Sequence, residues 1–233
     1  MSPRRLLVAG AVLAVLVGTG CGSDSTSAGA NDGSAIDTSS VPVDAPETSA
    51  DCPPADGAAT KTQQFDAAPP ECLVPGVTYE AIVTTNKGEF TITLDPASAP
   101  VAANNFVFLA RNQYYDDTPC HRILPNFVVQ CGDPTGTGTG GPGYTIVDEP
   151  TSPGKYQIGS IAMAKTVQPD SAGSQFFVIS GSDGTALPPD YALFGQVTDG
   201  LDTTVAAMAA AGTPGEGVPS EPIQIQSIRI VEA

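Results

Sequence analysis

One stretch near the middle of the chain limits the folds open to it: Cys120-His121-Arg122-Ile123-Leu124-Pro125-Asn126-Phe127-Val128-Val129-Gln130-Cys131-Gly132-Asp133. Two short runs rich in β-branched and aromatic residues flank a Pro-Asn turn, which is the pattern of a β-hairpin. Such a hairpin commits the centre of the chain to antiparallel sheet. It also sets Arg122 on a strand whose neighbours are built for a core. Arg122 and Gln130 lie at similar distances from the turn, so a regular hairpin makes them cross-strand partners beside Phe127 and Val128. The chain's single histidine, His121, precedes the arginine. Side chains alternate along a strand, so one of the two points inward.

The flanking sequence supplies more of the sheet. Tyr79 to Thr85 and Glu89 to Leu94 are strand-like, with the turn residues Asn86-Lys87-Gly88 between them. Their apolar residues fall on both parities, as in strands packed inside a barrel on one face and against a helix on the other. Ala99-Pro100 opens a helical stretch to about Asn112, with proline in the first turn and Phe106 and Leu109 spaced to face the core. Further strand-like runs span Gly159 to Ala164, Ser174 to Ser180 and Ala192 to Val197. Thr203 to Ala211 is alanine-rich and ends at Gly212, the pattern of a second helix. The last run, Ile223 to Val231, changes the phase of its alternation between Ile225 and Ile228, which predicts a bulge in a terminal strand. About seven or eight strands with two helices predict a mainly β domain over residues 77–233, a closed antiparallel barrel capped at its ends.

Residues 1–76 read differently. Arg4 and Arg5 precede an apolar run from Leu6 to Val17 that ends at Gly18-Thr19-Gly20-Cys21. The run is too short to span a bilayer and has the layout of an export signal over residues 1–20. Small residues directly before Cys21 resemble a bacterial lipobox, in which the cysteine is lipidated, although Gly18 stands where leucine is usual. The expectation is an exported lipoprotein, held to the extracytoplasmic side of the cell membrane by its N-terminal lipid alone, with ordinary secretion and then an uncleaved anchor as the alternatives. Residues 21–76 carry few large apolar side chains and read as a disordered tether, with the part between Cys52 and Cys72 free to dock on the domain instead. The five cysteines suit an oxidising compartment: Cys21 for lipid, and an even set of Cys52, Cys72, Cys120 and Cys131. Among the possible pairings, Cys52 with Cys72 and Cys120 with Cys131 is the most local, and the second would staple the ends of the central hairpin.

Several function classes fall away. Acidic residues outnumber basic ones 25 to 9, for a formal charge of -16, which makes nucleic acid a poor partner. No closely spaced cysteine pair accompanies histidines, so no metal is expected. Gly138, Gly140 and Gly143 spell G-x-G-x-x-G, but Pro142 and more turn residues follow where a dinucleotide fold needs a helix. That stretch reads as a glycine-shaped loop, and no cofactor is implied. Gly173-Ser174-Gln175 is not a nucleophile elbow, and His121, without a visible partner, reads as a satisfied core residue. What remains is one permanent cation, amides and an apolar wall, with Ser174-Gln175-Phe176-Phe177 as a second cluster. Such a set can bind and polarise a peptide group without transferring a proton.

Those stretches, namely His121 to Asp133, the Gly136 to Gly143 loop, Met163-Ala164-Lys165 and Gly173 to Phe177, resemble the cyclophilin family of peptidyl-prolyl cis-trans isomerases in order and spacing. The resemblance runs from about Val77 to the C-terminus. It implies a closed eight-stranded antiparallel barrel with a helix at each end. It further implies a catalytic arginine, Arg122, oriented by Gln130, and a proline pocket of Phe127, Val128, Phe177, Leu187 and Tyr191. Phe127 belongs by the same resemblance to the catalytic set, Gln175 lines the groove, and the backbone at Ala164 and Lys165 holds the peptide. Val128 stands where methionine is common, Tyr191 where many members have histidine, and Lys165 where asparagine is found. Ala186 occupies the place of the tryptophan of cyclosporin-binding forms, and the chain has no tryptophan, so weak cyclosporin binding is implied.

The chemistry is consistent with that set. An X-Pro amide resists rotation by about 18–20 kcal/mol because the nitrogen lone pair is conjugated with the carbonyl. In the twisted transition state the proline nitrogen becomes pyramidal and basic, so a guanidinium aimed at it is favoured there over the ground state. The expectation is therefore a monomeric prolyl isomerase acting on proline-containing segments of exported proteins. A non-catalytic adaptor or holdase on the same fold is the alternative.

Overall fold

The computed structural model describes residues 52–233. The export signal, Cys21 and the tether as far as residue 51 lie outside them. Strands β1 (Tyr79–Thr85) and β2 (Gly88–Leu94) form a hairpin about Asn86 and Lys87, and its last pair is Thr85 with Gly88. Gly88 has φ 122°, a value that L side chains rarely adopt. Helix α1 (Pro100–Arg111) follows, with proline at its start. No side chain of its own N-cap satisfies the first turn; Glu149 reaches across instead, and its carboxylate accepts the N–H groups of Val101 at 2.9 Å and Ala102 at 2.8 Å. An acidic group there also complements the helix dipole.

Beyond α1 come β3 (Thr118–Pro119), β4 (Arg122–Ile123), β5 (Val128–Cys131), β6 (Ser160–Met163), β7 (Phe176–Ile179) and β8 (Leu193–Asp199). A wide helical turn, Leu201–Val205, runs into α2 (Ala206–Ala209), and β9 (Gln224–Glu232) closes the chain. All pairings are antiparallel, in the order β3-β9-β1-β2-β8-β6-β7-β5-β4. The two ends of that order belong to one extended stretch, residues 118–123, so the sheet curls round and meets itself. The eight strands implied by the resemblance become nine segments because this stretch changes partner midway. Thr118 and Pro119 pair with β9, and Arg122 and Ile123 pair with β5. The predicted bulge is present in β9: Thr84 faces Ser227 and Thr85 faces Ile225, leaving Gln226 unpaired.

Aromatic side chains fill the interior. Phe106 of α1 packs edge-on to Phe176 at 5.3 Å and lies 5.2 Å from both Tyr115 and Phe194, all four fully buried. Each such burial contributes about 1.5–3 kcal/mol. Phe106 and Leu109 face this core as their spacing predicts, yet α1 is buried on its other side too, from Ala102 to Arg111.

The cover on that other side is the latter part of the expected tether: disorder is corrected from Cys52 onward, and of the two alternatives for the stretch between Cys52 and Cys72 the structure shows docking. Residues 52–76 form a strap across α1, closed by the Cys52–Cys72 disulfide. Phe65 packs on Phe108 at 5.0 Å, and Asn104 accepts the Cys72 N–H at 2.7 Å while donating to the Pro70 carbonyl at 2.8 Å. Ala58 N–H donates to the Arg111 carbonyl at 2.7 Å, and Thr62 N–H to the Asn112 carbonyl at 3.0 Å. Low apolar content understated the strap, because one disulfide, one aromatic ring and backbone hydrogen bonds to a preformed helix offset its ordering entropy. The folded part thus begins at least as early as Cys52, not at Val77.

Candidate active site

Strand alternation divides β4, β5, β6 and β7 between two faces. Ile123, Val129, Cys131, Ile161, Met163, Phe176 and Val178 belong to the interior cluster. Val128, Ala162, Phe177 and Ile179 form a second, smaller apolar cluster on the opposite face, with Tyr156. On that face the register builds one row across the sheet: Arg122 faces Gln130, Gln130 faces Phe177, and Phe177 faces Ala162. Rigid strands therefore set the arginine, its amide neighbour and an aromatic floor side by side.

Turns supply the walls. At the hairpin tip Asn126 adopts φ 55°, and its Oδ1 accepts the Ser182 N–H at 3.1 Å. The Phe127 carbonyl accepts the Ser180 N–H at 3.0 Å, fixing Phe127 at the pocket edge. A short 3-10 turn, Ser182–Ala186, delivers Leu187. Tyr191 stands edge-on to Phe177 with ring centroids 5.4 Å apart. The result is a cavity of about 120 Å³ lined by Arg122, Phe127, Val128, Gln130, Ala164, Lys165, Phe177, Leu187 and Tyr191. Every residue expected at the site except Gln175 lines it. Gln175 lines an adjoining cavity of about 360 Å³, which shares Gln130, Ala164 and Lys165 with the first.

A chain of amides links the two cavities. Arg122 donates to Gln130 Oε1 at 3.3 Å, Gln130 Nε2 donates to Gln175 Oε1 at 2.9 Å, and Gln175 Nε2 donates to the carbonyls of Gly138 at 3.1 Å and Gly140 at 3.0 Å. The glycine-rich loop carrying those carbonyls is tied to Asp133. Its buried carboxylate accepts the N–H groups of Thr135 at 2.8 Å, Thr137 at 3.1 Å, Gly138 at 2.7 Å and Gly140 at 3.1 Å, as well as the Thr135 hydroxyl at 2.7 Å. Burial pushes this carboxyl up, but the hydrogen bonds from Thr135, Gly140 and Gly138 outweigh it and hold its pKa below the usual carboxylate range. A Cβ at Gly140 would lie 1.9 Å from the Asp133 carboxylate, so the loop requires glycine there. No helix follows the loop, in keeping with a glycine-shaped turn.

His121 departs from the expectation of a satisfied core residue. It is half-buried, its ring faces Gly138, and its Nδ1 has no hydrogen-bond partner among the described residues. Burial pulls its pKa below the ordinary imidazole value, helped by the nearby Arg122 charge and opposed by Asp133. Lys165 is paired with Asp148. Burial would raise the Asp148 carboxyl, but the Lys165 hydrogen bond and the Asp170 N–H bring it below the usual range.

Sequence reasoning missed Tyr156, Asp133 and Asp148. Tyr156 OH donates to the Tyr191 carbonyl at 2.8 Å and accepts the Tyr191 N–H at 3.1 Å, so it holds the backbone of a wall residue, and burial pushes its phenol pKa up to about 12. A lone tyrosine after Pro153-Gly154-Lys155 is its only signal in the sequence. Asp133 gave a better one, as an acidic residue separated by Pro134 alone from a Thr-Gly repeat. The two disulfides join Cys52 with Cys72 and Cys120 with Cys131, the latter across the ends of the central hairpin.

A closed antiparallel barrel that carries Arg122 and Lys165, a run of amides and a small cavity with apolar walls on the face away from its core is equipped for orientation and electrostatics. The family follows from comparison with known proteins. The chain belongs to the cyclophilin-type peptidyl-prolyl cis-trans isomerases, whose family model, "Cyclophilin type peptidyl-prolyl cis-trans isomerase/CLD", matches residues 81–230. It is 35% identical over 171 residues to the probable peptidyl-prolyl cis-trans isomerase B of Mycobacterium leprae, covering 66% of this chain and 57% of that protein. It thus spans little more than half the length of that relative. It is 38% identical over 160 residues to the peptidyl-prolyl cis-trans isomerase-like 1 of Gibberella zeae, covering 67% of this chain and 97% of that one. The crystal structure of a Cryptosporidium parvum cyclophilin-type isomerase superposes with a TM-score of 0.61 at 32% identity, over 66% of this chain and 98% of that chain.

Proposed function

We propose that this protein accelerates X-Pro rotation in exported proteins, with Arg122 stabilising the twisted amide and Phe127, Val128, Phe177, Leu187 and Tyr191 holding the proline ring. The observation that carries the reading is the register row in which Arg122 and Gln130 stand beside Phe177 at the rim of a proline-sized apolar cavity. In the ground state the amide nitrogen is a poor acceptor; as the bond twists it becomes basic, and the guanidinium favours that state. Gln130 aims the guanidinium, because its Oε1 receives one N–H while its Nε2 is anchored on Gln175. The apolar wall immobilises the ring and excludes water while the acyl side turns. Ala164 and Lys165, at the edge shared by both cavities, hold the peptide backbone. A similar C. parvum isomerase was crystallised in the presence of the dipeptide Ala-Pro, which supports a proline-containing ligand here.

The setting is part of the proposal. The chain acts outside the cytoplasm as a monomer, with Cys21 lipidated and serving as its membrane anchor. Two disulfides support an oxidising compartment. NMR exchange spectroscopy on an Ala-Pro model peptide, with protein at a small fraction of the peptide concentration, tests the activity. Accelerated cis–trans exchange is expected; binding without acceleration would make the protein a holdase instead. Membrane association that persists in a Cys21→Ala chain would remove the lipid anchor from the account.

A further inference from the structure

The strap over α1 also reaches the binding face. Phe65 N–H donates to the Pro142 carbonyl at 2.8 Å, and Gln64 Nε2 donates to the Gly141 carbonyl at 3.0 Å. The Phe65 ring lies 6.2 Å from the ring of Tyr144, edge-on, and Tyr144 lines the 360 Å³ cavity together with Gly138 to Pro142. A Cβ at Gly143 would come within 2.5 Å of the Phe65 carbonyl, so strap and loop are in direct backbone contact. The loop is thereby clamped from both sides: Asp133 and Gln175 hold its inner edge, and Gln64 and Phe65 its outer edge.

We propose that Gln64 and Phe65 are positioning residues that fix the wall of the 360 Å³ cavity, and that the strap thereby sets affinity for the residues preceding the proline. This rests on the isomerase reading for the location of the proline. The two cavities share Gln130, Ala164 and Lys165, so a peptide whose proline fills the smaller one has room for its neighbouring residues along the larger, and that room is assigned to the preceding side. Loop carbonyls that accept hydrogen bonds from the strap are held where they stand before the peptide arrives. Without the strap their ordering falls on the binding step, and affinity drops for peptides long enough to touch the loop. A peptide confined to the smaller cavity does not touch it.

The test uses the full chain and two probes, acetyl-Ala-Pro-amide and acetyl-Ala-Ala-Ala-Ala-Pro-amide, with Kd read by NMR titration. Phe65→Ala and, separately, the exposed Gln64→Ala are expected to weaken the longer peptide by about fivefold more than the dipeptide. Phe65→Tyr restores the difference, and Asp66→Ala, exposed on the same strap, changes neither value. Equal weakening of both peptides, or of neither, overturns the proposal, as does a wild-type chain that binds the two equally. Kd is read without turnover, so absence of accelerated exchange would count against the isomerase reading and leave this one standing.

Discussion

Under the proposed mechanism, replacing Arg122 with alanine should separate catalysis from folding by a margin the structure allows to be worked out. Arg122 is half-exposed, and its one side-chain hydrogen bond among the described residues, to Gln130, is 3.3 Å long. Losing such a bond where water can replace it costs about 0.5–1.5 kcal/mol of stability. Gln130 retains its bond to Gln175, so the amide chain beneath is not cut. For a domain of this size that is a fall in Tm of a few degrees, about 2–4 °C per kcal/mol. Removing a donor aimed at a developing transition-state charge costs far more, roughly 2.7–4 kcal/mol, or 10²–10³ in rate. Arg122→Ala should therefore keep its amide NMR spectrum and bind the Ala-Pro peptide, while kcat/KM falls at least 10²-fold by the same measure. Arg122→Lys should fall in between, because lysine keeps the charge and loses the planar fork. The wild-type rate should be flat across neutral pH, since the step moves no proton and burial keeps His121 neutral there. The assay is exchange spectroscopy at several protein concentrations, paired with thermal melts. An Arg122→Ala protein that is folded and within tenfold of wild type would refute the electrostatic account.

Three further outcomes follow from other contacts. Cys52→Ser with Cys72→Ser opens a loop of separation 20 and should cost about 3 kcal/mol, read from urea melts against the oxidised wild type. Asp133 has a folded-state pKa below its unfolded value, so its contribution is present above the unfolded value near 4 and is lost as pH falls through the folded one. Asp133→Asn should thus be destabilised at pH 7, with the gap to wild type narrowing below pH ~4 in melts run across the acid range; a constant gap would contradict the assignment. Tyr156→Phe removes both contacts to the Tyr191 backbone and should cost about 1–3 kcal/mol, with weaker dipeptide binding by titration.

Much of the barrel and of its site is written in strand alternation and in distances from turns. Arg122 and Gln130 pair because they are nearly equidistant from Pro125-Asn126, and alternation alone sends Ile123 and Val129 to the core and Val128 to the other face. The division of residues 118–123 between two partners was not legible, since nothing in Thr118 to Ile123 marks where one ladder ends and the next begins. The strap was legible only as an alternative, because its lack of apolar residues argues for disorder while the stretch between Cys52 and Cys72 stays free to dock. Its clue lay elsewhere, in α1, where Phe106, Val107, Phe108 and Leu109 are consecutive and apolar, more than one buried face of a helix requires. Tyr156 escaped because an isolated aromatic in a loop has no period to place it.

The Cys52–Cys72 disulfide also decides how mechanical load would travel. Tension arriving at residue 52 from the N-terminal side passes through the sulfur bridge to Cys72 and on into β1, bypassing residues 53–71. Strand β1 lies between β2 and β9, with a ladder along each edge, so a pull along its axis must shear both ladders together instead of unzipping one. The strap therefore stays slack under force that loads the barrel, and the groove wall it touches is insulated from whatever drags on the chain's N-terminus.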